Sequence, residues 1–153
     1  MATLKLEVPL LAQELSDCCW HTSAMMIWLY WQGQSGRQGP MNTLTPTYTR
    51  NRGISPQEFI TLGKSVGLDA LPTKNLHDSD DLHGYLSSQG PIWCAGHWFG
   101  PGHIIVLTGV DGGQMFFNDP GGGLKKQGTV DWFNKKLASS LQGSLMYKDP
   151  KRY

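Results

Sequence analysis

Cys19, His103 and Asp119 are the residues whose types and surroundings could do covalent chemistry. Cys19 lies in Asp17-Cys18-Cys19-Trp20, in the first turn of a run, residues 17–32, with Ala, Met, Ile, Trp and Leu at helical spacing. A thiol there is served twice: a helix N-terminus and a nearby imidazolium both stabilise the thiolate, and the first-turn N–H groups can hold an oxyanion. Gln13, six residues upstream, has a side-chain amide that can be the second oxyanion donor. His103 opens the apolar run Ile104-Ile105-Val106-Leu107, so a strand fixed in the core would hold an imidazole at its end. Asp119 ends the next run, Met115-Phe116-Phe117-Asn118-Asp119-Pro120, across a tight hairpin, where a carboxylate can fix the tautomer of the histidine. Asn118 competes for that role, but alternation along a strand sends it to the other face. Each residue alone has a plainer reading: a small buried hydrophobe for Cys19, a polar strand cap for His103, an Asp-Pro turn for Asp119.

The elements that must position these groups are legible as changes of period. The run 17–32 reads as a central helix, apolar on most sides, with Ser16-Asp17 capping it. Residues 33–53, rich in Gly and Pro, read as a long polar loop. Ser55-Pro56-Gln57-Glu58 starts a second helix that runs to about Val66 and stops at Gly67. A third helix is expected over about 79–88, led by Asp78 or Ser79 and stopped by Gly90-Pro91. From there the pattern becomes that of antiparallel strands, at 91–98, 103–110 and 114–118, with Asp111-Gly112-Gly113 as a hairpin turn. A short helix over about 130–137 and a strand near 144–147 close the chain. Helices first and sheet afterwards indicate an α+β fold, and the absence of a repeat or linker indicates a single domain over 1–153.

Composition narrows the function classes. With 13 basic and 12 acidic residues and no cationic run beyond Lys125-Lys126 or Lys135-Lys136, no nucleic-acid or anionic-membrane partner is expected. The longest apolar stretch, 24–31, falls well short of the roughly 20 residues of a membrane span. Met1–Glu7 has no Sec-type signal character, and three cysteines, two adjacent, suit free thiols in a reducing cytosol rather than a disulfide framework.

Taken together, Gln13, Cys19-Trp20, Gly102-His103 and Asn118-Asp119-Pro120 resemble the Gln, Cys-Trp, Gly-His and Asn-Asp-Pro motifs of papain-like cysteine peptidases of clan CA. Residues 102–120 are similar to the corresponding run in bacterial papain-like effector proteases and in the peptidase domains that cleave bacteriocin leader peptides. The resemblance implies a papain-like fold, with a helical N-terminal part whose buried nucleophile helix packs on a C-terminal antiparallel sheet. It implies Cys19 as nucleophile, His103 as base, Asp119 as orienter and Gln13 as oxyanion donor, acting on a protein or peptide without metal or other cofactor. Gly121-Gly122-Gly123 stands where papain has an aromatic residue over the His–Asn bond, so Trp98 or Trp132 is expected to provide the cover. The leader-peptide enzymes are usually fused to a transporter, and the lack of a span here favours a free-standing effector or toxin domain. Such a domain would be made in the cytoplasm, delivered by a non-Sec route and restrained by a cognate immunity protein. Two other chemistries fit the same residues: amidase, deamidase, acyl-transfer or peptidoglycan-cleaving reactions of the same apparatus, and a zinc site drawn from Cys18, Cys19, His21, Cys94, His97 and His103. A non-catalytic binding module is the last alternative. The loop 33–53 and the segment 93–100 are the expected shapers of substrate preference.

Overall fold

In β3 (Ile92–Gly96) and β4 (His103–Asp111) both faces are buried, and successive residues feed two different cores. Trp93, Ala95, Ile104 and Val106 point to one, while Ile92, Cys94, Ile105 and Leu107 point to the other. The computed structural model describes residues 3–14, 16–36, 55–72 and 74–151. In it, the two strands lie at the middle of a seven-stranded antiparallel sheet in the order β2-β7-β3-β4-β5-β6. The other strands are β1 (Thr3–Lys5), β2 (Leu68–Ala70), β5 (Gln114–Asp119), β6 (Leu124–Thr129) and β7 (Leu145–Lys148). β1 pairs with Gly109–Asp111 of β4, on the stretch of that strand beyond its pairing with β3.

Helix α1 (Cys19–Ser35) covers one face with Trp20, Ala24, Met26 and Ile27, joined there by Phe59 of α2 (Phe59–Ser65). Helices α3 (Ser79–Gln89) and α4 (Val130–Lys136) cover the other with Leu82, Leu86, Val130 and Phe133. Full burial of side chains of this size stabilises by about 1.5–3 kcal/mol each. The fold is thus α+β, as the order of elements indicated, with helices on both faces of the sheet rather than on one.

Local chemistry accounts for most boundaries. Ser55 and Glu58 form a reciprocal capping box over the 3-10 turn Pro56–Glu58 that leads into α2. Asp78 and Asp81 do the same for α3. At α1 the expected cap is displaced. The N-cap position belongs to Cys18, which makes no side-chain cap hydrogen bond, and Cys19 is the first helical residue. The expected loop over 33–53 begins later than residue 33, because α1 continues to Ser35; from residue 37 to 54 it lies outside the described residues.

One irregularity decides which side chains meet. Near the turn, β4 and β5 pair as Asp111 with Gln114, Val110 with Met115 and Gly109 with Phe116, but beyond it as Leu107 with Phe117 and Val106 with Asn118, leaving Thr108 as a bulge. Continued without the bulge, the hairpin register would set Asp119 opposite Val106, on the α1 face. With it, Asp119 shares the face of Phe117, Leu107 and Ile105, and His103 has the same parity.

Candidate active site

Cys19 sits half-buried at the first position of α1, and the α1 start is fixed to the sheet by the Trp93 indole N–H, which donates to the carbonyl of Trp20 at 3.0 Å. His103 begins β4, opposite Gly96 of β3, and Asp119 ends β5. A cleft of about 370 Å³ opens between them, lined by Cys19, Trp20 and His103 together with Pro56, Phe59, Ala95, Gly96, Ile104, Ala138 and Leu141. The lining is therefore mostly apolar apart from Ser16, Asp17, Cys19, His97 and His103.

His103 Nε2 lies 2.7 Å from Asp119 Oδ1, with the Asp119 side chain only 4% exposed. The ring's remaining nitrogen, Nδ1, is left for Cys19, which lines the same cleft and bears on the ionisation of the imidazole. Burial pulls the His103 pKa down, but the bonds to Asp119 and Cys19 and their charges outweigh it and raise the value to about 9. Burial likewise opposes ionisation of Asp119, yet hydrogen bonds from His103, Lys126 and Gly121 and the charge of His103 hold its carboxyl below the usual range. Imidazolium beside carboxylate is the resulting state near neutral pH.

Asp119 has every oxygen engaged. Oδ1 also accepts the Gly121 N–H at 2.9 Å, and Oδ2 accepts Lys126 Nζ at 2.8 Å. A Cβ on Gly121 would lie 3.2 Å from Asp119 Oδ1 and 3.5 Å from the His103 ring, so glycine here lets the backbone reach the carboxylate. Gly123, at φ 65°, similarly meets Ala12, where a Cβ would come within 2.9 Å of the alanine Cβ. The glycine triplet thus seats the segment carrying Gln13, whose backbone N–H donates to the Pro120 carbonyl at 2.8 Å.

The sequence-derived residues are not equally central. Cys19, His103 and Asp119 converge. Asn118 points to the opposite face, donating to the Val8 carbonyl at 3.2 Å beside Met26. Gln13 stands on the loop before α1 and donates its side-chain amide to the Ser16 carbonyl at 2.6 Å, and it is not among the residues lining the cleft. Cys18 and Cys94 are fully buried, and burial pushes the Cys94 thiol far up. Among the described residues no three His, Cys, Asp or Glu side chains gather as a metal site.

The cover over the His103–Asp119 pair differs from expectation. Trp98 is buried beneath, donating to the Cys94 carbonyl at 3.3 Å and stacking on Phe133, while Trp132 packs on Phe117. The ring next to His103 is Phe99, with centroids 5.9 Å apart. Phe99 and Lys126 escaped the sequence reading. The polar run Leu124-Lys125-Lys126-Gln127-Gly128-Thr129 has no apolar alternation to mark it as a strand, and the glycine turn before it is the one signal that the chain folds back beside Asp119.

A cysteine at a helix start, a histidine paired to a carboxylate across a hairpin, and a sheet with helices on both faces define a papain-like cysteine peptidase. The family model described as papain-like cysteine protease AvrRpt2 matches residues 2–138, and the chain belongs to that family. Among solved structures the fold is similar to that of a double glycine motif protease from an AMS/PCAT transporter in complex with the leader peptide. The two share 16% identity with a TM-score of 0.57, over 94% of this chain and 94% of that one.

Proposed function

We propose that the chain hydrolyses peptide bonds through Cys19, His103 and Asp119. The observation that carries the reading is the 2.7 Å contact of His103 Nε2 with a fully engaged Asp119, which leaves the other ring nitrogen available on the cleft that Cys19 also lines. Cys19 Sγ, its proton already held by His103, attacks the scissile carbonyl carbon. The oxyanion that forms is met by first-turn N–H groups of α1, and the Gln13 amide, which donates to the Ser16 carbonyl, joins them as second donor once its side chain turns into the cleft. His103 then returns the proton to the leaving amine, the acyl-thioester remains on Cys19, and water activated by His103 hydrolyses it. Asp119 holds the ring in one tautomer throughout and balances the imidazolium charge.

The substrate is a protein or peptide. The apolar wall of Phe59, Leu141, Ile104 and Ala138 suits an extended segment with an apolar side chain beside the scissile bond. The kinship with a peptidase solved with a leader peptide supports a peptide ligand. For the setting we read a delivered effector or toxin made in the cytoplasm and restrained by a cognate immunity protein, for which the open cleft offers a face to block. An epoxide or haloacetamide probe tests the chemistry: it should mark Cys19 in the native protein, and His103→Ala should slow that marking by orders of magnitude. Equal marking of Cys18, or no effect of His103→Ala, would reject the assignment. Expression of the native chain and of Cys19→Ala in the bacterial cytoplasm or periplasm tests the setting, with Cys19-dependent growth arrest expected.

A further inference from the structure

We propose that Lys126 is a positioning residue for this reaction: from β6 it holds Oδ2 of Asp119, under the Phe99 ring, so that the carboxylate presents Oδ1 alone to His103. The inference rests on the Cys19–His103–Asp119 reading and adds to it a fourth, cationic member outside the cleft.

Three observations converge. Lys126 Nζ lies 2.8 Å from Asp119 Oδ2, with the lysine side chain 34% exposed and the carboxylate 4%. The ammonium also sits 4.3 Å from the centroid of Phe99. Phe99 is half exposed, yet it is set among rings: 5.9 Å from His103, 6.2 Å from Trp132 and 6.3 Å from Phe117. An apolar ring of this size left at the surface costs hydration, and here it shields both the lysine–carboxylate contact and the histidine edge from water. The aromatic cover that papain-like enzymes place after the third triad residue is thus supplied from the β3–β4 connection, and a lysine is held beneath it.

A carboxylate with one oxygen free can swing about its Cα–Cβ bond or bind the imidazole in either of two ways. With Oδ2 held by Lys126 and Oδ1 shared between His103 and the Gly121 N–H, rotation would break three charge-assisted bonds. Lys126 has a second consequence. The charges that face His103 are the Cys19 thiol on α1 and Asp119 on β5, with Asp17 and His97 on the rim of the cleft and Lys126 behind Asp119. Lys126 offsets part of the carboxylate charge and so limits how strongly the imidazolium is stabilised, keeping it able to release its proton to the leaving amine.

The test compares Lys126→Met, which keeps the stem, with Lys126→Arg, which keeps the charge, on a cleaved peptide and by NMR titration of His103 in a Cys19→Ala background. Lys126→Met should lower kcat on the order of tenfold with KM little changed. It should also raise the His103 titration midpoint by about one pH unit. Lys126→Arg should restore both. In an Asp119→Asn background, Lys126→Met should cause no further loss. Lys126→Met with native kcat and an unmoved His103 midpoint would overturn the inference, as would Lys126→Arg proving as damaging as Lys126→Met. If Lys126→Met folds poorly, Lys126→Gln carries the same readings. The triad reading fails separately, by activity surviving in Cys19→Ala, whatever Lys126 does.

Discussion

Replacing Asp119 with Asn removes a charge and almost no volume, which isolates what the carboxylate does for His103. In the native protein the imidazole is held at about 9, chiefly by its bond to Asp119 and its contact with Cys19 against the pull of burial. At pH 8 an imidazole titrating there is roughly nine-tenths protonated, whereas one returned to about 6.5 is roughly one-thirtieth protonated. Cys19 still supports the imidazolium in the variant, so the fall stops short of that limit. The asparagine carbonyl can accept from Nε2, but its amide would then face the Lys126 ammonium, donor against donor, and the geometry loosens as well. The expected result is that kcat/KM falls about tenfold at pH 8 and about threefold or less at pH 6, because the alkaline limb of the profile moves down from near 9. A series of kcat/KM values from pH 5 to 10 on one cleaved peptide measures this. An Asp119→Asn profile of native shape, merely scaled down at every pH, would refute the claim that the carboxylate acts on the histidine through its charge.

Four further outcomes are expected. His103 titrates higher in the folded chain than unfolded, so its stabilising contribution is full below about 6.5 and is lost as pH rises through about 9; at about 1.36 kcal/mol per unit this is about 3 kcal/mol, read as a fall in denaturation free energy that His103→Gln lacks. Gly121→Ala places a methyl 3.2 Å from Asp119 Oδ1, and kcat should drop about tenfold with the thermal midpoint changed by only a few degrees. Gln13→Ala should cost on the order of 10²–10³ in kcat if its amide meets the oxyanion, and a loss below threefold would remove it from that role. EDTA should leave activity intact while iodoacetamide stops it, and chelator inhibition reversed by zinc would favour a metal reading.

The parts of this site that the sequence exposes are those set by local periodicity. Helix α1 is readable because Trp20, Ala24 and Ile27 fall at helical spacing, and β3 and β4 because their apolar runs are bounded by glycine turns. Alternation sends Asn118 and Asp119 to opposite faces, but the register decides which of them joins His103. The bulge at Thr108 that sets the register is not legible: nothing in Leu107-Thr108-Gly109 marks an extra residue, and without it strict hairpin pairing would separate Asp119 from the His103 face. β1, β2 and β6 were missed for a related reason. Two of them are three residues long, and β6 is an edge strand rich in lysine and glutamine that exists because β5 offers it a ladder. Lys126 and Phe99 lie on such segments, a polar edge strand and a connection between strands, so their approach to Asp119 and His103 is visible only in three dimensions.

The central claim, hydrolysis of peptide bonds by Cys19, is tested most directly by incubating the native chain and Cys19→Ala with a proteome-derived peptide library and sequencing the new N-termini by mass spectrometry. The account predicts new N-termini with the native chain that share an apolar residue beside the cleaved bond, and none with Cys19→Ala. The same termini from both proteins, or Cys19-dependent deamidation of glutamine or asparagine without any cleavage, would contradict it.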